Sequence, residues 1–77
     1  MVNRDKKDKF VELAEKRVTR AIKDLQLIGN LSNKNNYAYT PEDVDKIIKV
    51  LEGELRELKA KFRAGMKSDR AHFSLKD

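Results

Sequence analysis

Apolar residues recur at alternating spacings of three and four in two stretches of this chain. The first runs Val11, Ala14, Val18, Ala21, Leu25 and Ile28; the second runs Val44, Ile48, Leu51, Leu55, Leu58 and Phe62. That spacing keeps a residue on one side of an α-helix turn after turn, so each ladder predicts an amphipathic helix. Between them, residues 33–41 read Asn-Lys-Asn-Asn-Tyr-Ala-Tyr-Thr-Pro, a polar stretch that breaks the stripe and leads into a helix start. The pattern predicts an all-α chain, an antiparallel two-helix hairpin with helices at about 5–28 and 41–64. Residues 1–65 form the hairpin domain in this reading, and residues 66–77 a C-terminal tail that is flexible or loosely docked through Phe73 and Leu75.

Local signals mark the ends. Asn3 or Asp5 is the expected N-cap of the first helix, and Gly29 its expected left-handed C-cap, with Leu31 folding back on the last turn. Thr40 is placed to cap the second helix. Pro41 suits the first helical position, where no amide partner is needed, and Glu42, Asp43 and Asp45 put negative charge at the positive end of the helix dipole. Gly53 is the helix-unfriendly residue inside the second helix, and Gly65 is its expected stop.

Phe10 and Ile22 widen the apolar face of the first helix, and Ile47 widens that of the second. Such faces exceed the two positions per heptad of a simple two-stranded coiled coil and suit a bundle of more than two helices. With 77 residues and no cysteine, the chain has neither a large core nor disulfides to stabilise it. A second copy supplies the missing burial, so the expected assembly is a homodimer forming a four-helix bundle. No long apolar run and no charged leader before one is present, which predicts no membrane partner and a cytoplasmic location.

Charge changes the picture modestly. The formal net charge is +5 and 40% of residues are charged, yet the basic excess is spread along the chain rather than gathered in a tail. Many charges pair acid with base four residues on, the favourable order on a helix: Asp5 with Lys9, Glu12 with Lys16, Glu42 with Lys46, Asp45 with Lys49, Glu52 with Arg56, Glu57 with Lys61. Lys9, Lys16, Arg20 and Lys23 share the side of the first helix opposite its ladder. They form a candidate nucleic-acid stripe, but the bordering acids Asp5 and Glu12 favour an ordinary solvated face. Leu13 and Leu27 lie on that same outward side and are candidates for a second contact face.

The link holds the other candidates for partner binding, Lys34, Tyr37 and Tyr39. The two tyrosines point to one side if the segment is extended, and they serve either to close the end of the hairpin or to meet a partner. Asn30, Asn33, Asn35 and Asn36 are natural turn residues. On the second helix, Val50, Gly53, Ala60 and Ala64 form a strip of small side chains away from the ladder. Chemistry has little to work with: His72 is the single histidine, no glycine-rich phosphate loop exists, and surface carboxylates have basic neighbours. The sequence therefore predicts a protein that is not an enzyme and carries no metal or cofactor.

The stretch Leu27-Ile28-Gly29-Asn30-Leu31-Ser32-Asn33-Lys34, with Asn36-Tyr37-Ala38-Tyr39-Thr40 and the Asp43-Val44 helix start, resembles short uncharacterised bacterial proteins, some of them associated with phages and other mobile elements. The resemblance spans about residues 9–63. It implies a small intracellular accessory protein and brings no catalytic or binding residue with it. The expected function is a protein-interaction module, an adaptor or modulator. The alternative is a nucleic-acid-binding accessory protein that uses the basic side of the first helix.

Overall fold

A computed structural model describes the backbone of residues 3–76 and the side chains of residues 4–66. Within it the chain is all-α, with helix α1 at Asn3–Asn30 and helix α2 at Pro41–Lys76, and no strand among the described residues. The chain divides into two compact units, Met1–Ala38 and Tyr39–Asp77, each built around one helix.

The first unit contains α1 and the turn that follows it. The helix opens at Asn3, so Asn3 and Asp5 both lie inside its first turn rather than before it, and Asp5 sets an acid at the positive end of the dipole. Its other end departs from expectation. Gly29 is helical, no described residue has a positive φ, and the helix ends at Asn30 without a left-handed cap. Instead the chain leaves by tightened turns: the Leu31 amide donates to the Ile28 carbonyl at 3.0 Å, Ser32 to Gly29 at 3.0 Å, and Asn33 to Asn30 at 3.4 Å. These three-residue steps satisfy the last carbonyls, which removes the need for a left-handed glycine. Leu31 stays 46% exposed, so it does not fold back to cover the final turn.

The second unit begins with the N-terminus foreseen at Thr40. The Asp43 amide donates to Thr40 Oγ1 at 3.1 Å, and the Thr40 amide donates to Asp43 Oδ2 at 3.0 Å. This is a reciprocal capping box with aspartate in place of the usual glutamate or glutamine. The first helical hydrogen bond, Val44 amide to Thr40 carbonyl, closes at 3.2 Å, and Pro41 occupies the opening position of α2.

At its far end α2 does not stop at Gly65 but continues to Lys76. Gly65 has no positive φ, and no proline follows it to block the next turn. A glycine inside a helix costs about 1 kcal/mol against alanine, which weakens the helix locally without ending it. The backbone of residues 66–76, expected as a tail, is therefore helical. The side chains of His72, Phe73 and Leu75 lie outside the described residues.

Both ladders hold their register along their own helices. Val11, Val18 and Leu25 on α1, and Val44, Ile48, Leu55, Leu58 and Phe62 on α2, are all exposed; Ala14, Ile28 and Leu51 are half-buried. No described residue is buried. The amphipathic pattern thus gives each helix, taken by itself, one continuous apolar face.

Candidate interaction surfaces

Asn33 organises the turn after α1. Its side-chain Oδ1 accepts the Asn35 amide at 2.9 Å, while its carbonyl accepts the amides of Asn36 at 3.1 Å and Tyr37 at 3.0 Å. One residue thus satisfies three backbone donors, an Asx-type turn followed by a wider one. The turn carries Lys34 at its bend and brings Tyr37 out at its end. Tyr37 is 49% exposed, enough for its ring to meet a partner. Tyr39 lies beyond it in the second unit and is half-buried, so the two tyrosines differ in surroundings. The first unit therefore brings Lys34 and Tyr37 together on one turn, and Tyr39 belongs to the approach to α2.

The side of α1 opposite its ladder carries Lys9, Lys16, Arg20 and Lys23, all exposed. Lys16 Nζ lies 3.4 Å from Glu12 Oε2, which offsets part of the stripe's charge. Lys16, Arg20 and Lys23, with Glu15 and Thr19, edge a surface depression of about 470 Å³. Every residue around it is exposed, so the depression is too open to bury a small molecule. Leu13 is half-buried and Leu27 is 56% exposed, so Leu27 is the more available of the two leucines.

On α2, Lys49, Val50, Gly53, Glu54, Arg56, Glu57 and Ala60 surround a second open depression. Val50, Gly53 and Ala60 of the small-residue strip are among its lining residues. Asp45 and Lys49 make an ion pair at 3.1 Å nearby. This pair and Glu12–Lys16 are exposed at both partners, so each is worth little stability.

Among the described residues, no group of three or more histidine, cysteine, aspartate or glutamate side chains is gathered as metal ligands would be. No described helix is long and apolar enough to cross a membrane. The reciprocal role of Asp43 was missed by sequence reasoning, although an acid three residues after a capping threonine is its signal. No protein-family model, no curated protein and no solved structure matches this chain.

Proposed function

We propose that this protein is a small protein-interaction module, an adaptor or modulator that assembles through its ladders and meets its partner through the turn. One observation carries the reading: both helices keep long apolar ladders exposed, with Val18 at 55%, Leu25 at 51%, Leu55 at 51% and Phe62 at 51%. Contiguous apolar surface of that extent marks an interaction site. In this reading α1 and α2 fold antiparallel and two copies close a four-helix bundle, which leaves the Asn33 turn, with Lys34, Tyr37 and the neighbouring Tyr39, at the end of the bundle. Leu27 and Leu13 extend the partner surface along the outward side of α1. The role is one of binding in the cytoplasm, in the accessory setting that the resemblance to mobile-element proteins implies.

The second reading, nucleic-acid binding, is favoured by the common depression that Lys16, Arg20 and Lys23 border. It ranks lower because Glu15 lines the same depression and Glu12 pairs with Lys16.

A pull-down with two variants separates the readings. Tyr37→Ala with Lys34→Ala is expected to lose the captured protein while leaving helix content unchanged, because Asn33 and the Thr40–Asp43 box hold the local backbone. Capture by wild type should survive nuclease and depend only mildly on salt. Nucleic-acid binding would instead fall steeply with salt, and neutralising Lys9, Lys16, Arg20 and Lys23 together would flatten that dependence. Loss of helix content in the turn variant would show that Tyr37 is structural and would remove the turn as a partner site.

A further inference from the structure

The α2 ladder sets a heptad frame in which Ile48, Leu55 and Phe62 hold one seam position and Val44, Leu51 and Leu58 the other. The residues flanking this seam are then fixed. Asp45, Glu52 and Lys59 border one side; Ile47, Glu54 and Lys61 border the other. Both borders change sign at the same height, acidic toward the N-terminal half of α2 and basic toward its C-terminal half. Glu52, Glu54, Lys59 and Lys61 are exposed, and among the described residues none of the four is in an ion pair.

Flanking charges decide the partner and orientation of paired helices. From the sign change on both borders we infer that the α2 seam takes the α2 of a second copy of this chain, antiparallel, about a two-fold axis passing between Arg56 and Glu57. This rests on the self-association proposed above and narrows it: with both borders of the seam facing the partner's α2, the contact between copies is a two-helix seam rather than an even four-helix closure. In that register Leu55 packs against Leu58 of the partner subunit, and Leu51 against Phe62 of the partner subunit. Ile48 meets Gly65 of the partner subunit, where the missing side chain leaves room for it.

The four central border charges match in the same register. Glu52 faces Lys59 of the partner subunit on one border, and Glu54 faces Lys61 of the partner subunit on the other. The symmetry repeats both pairs. A parallel arrangement sets Glu54 against Lys59 of the partner subunit but has no partner for Glu52 or Lys61, and it lays acidic halves beside each other and basic halves likewise. Antiparallel pairing also opposes the two helix dipoles. The charge pattern is therefore self-complementary in one direction only.

Spin-label distances test the orientation, since a chain without cysteine accepts one label at a chosen site. Lys46→Cys and Arg56→Cys place nitroxides at exposed positions outside the proposed contacts. At a rise of 1.5 Å per residue, antiparallel pairing separates the two labels axially by about 30 Å at residue 46 and by almost nothing at residue 56. The expected result is a dimer by sedimentation, with a label-to-label distance longer at residue 46 than at residue 56 by more than about 10 Å. A dimer whose distance does not shorten from residue 46 to residue 56 overturns the antiparallel α2 pairing while leaving self-association standing. A monomer at every concentration overturns both.

Discussion

At the scale of single residues, two side chains do most of the local work. Asn33 satisfies three amides after α1, and Thr40 exchanges hydrogen bonds with Asp43 before α2. Thr40→Ala removes the acceptor for the Asp43 amide and is expected to cost about 1 kcal/mol of α2 stability, whereas Thr40→Ser keeps the oxygen and most of the effect. Faster hydrogen exchange at the Asp43 amide in the alanine variant, largely restored by serine, would check this. Equal exchange in all three proteins would mean that the box does not hold the helix start. Thr40 was legible because a capping residue, a proline and an acidic turn stand in a row there. The role of Asn33 was not: four asparagines share the segment, and composition cannot say which one the chain will fold around.

At the scale of elements, the two ladders were legible because a three-and-four spacing has few explanations other than a helix face. Helix ends were less so, and the errors share a cause. Gly29 and Gly65 look like stops because glycine tolerates left-handed backbone, but tolerance does not compel it, and both remain helical. Helix termination depends on whether the following residues satisfy the last carbonyls some other way, as Leu31, Ser32 and Asn33 do after α1. Gly53 offers a direct test of helical continuity. A Cβ added there meets only the Arg56 guanidinium, at 3.8 Å, an ordinary contact. Gly53→Ala is therefore expected to stabilise α2 by about 0.5–1 kcal/mol, seen as a higher melting temperature and greater helicity. A destabilised variant would indicate that something packs closely against the small-residue strip at Gly53.

At the scale of the whole molecule, what matters is that each helix carries a long apolar face that it cannot bury by itself, with no described residue buried. The sequence made the width of these faces legible through Phe10, Ile22 and Ile47, but the occupant of a face is a property of two surfaces, and one ladder describes only half of it. Helices derive most of their stability from packing an apolar face rather than from intrinsic propensity. Leu51, half-buried and central in the α2 ladder, is where that dependence should be largest. Leu51→Asp places an unpaired carboxylate in the seam and is expected to cost more than about 3 kcal/mol, reducing assembly and helix content together in a sedimentation and circular dichroism series. An unchanged melt would place the seam on another side of α2.

The central claim is that these faces are buried by association, and thermal unfolding followed by circular dichroism over a thousandfold range of protein concentration tests it most directly. If two copies bury the ladders, mass action raises the melting temperature as concentration rises, and the species at high concentration sediments as a dimer. A cooperative melt at one temperature throughout, from a species sedimenting as a monomer, would contradict it.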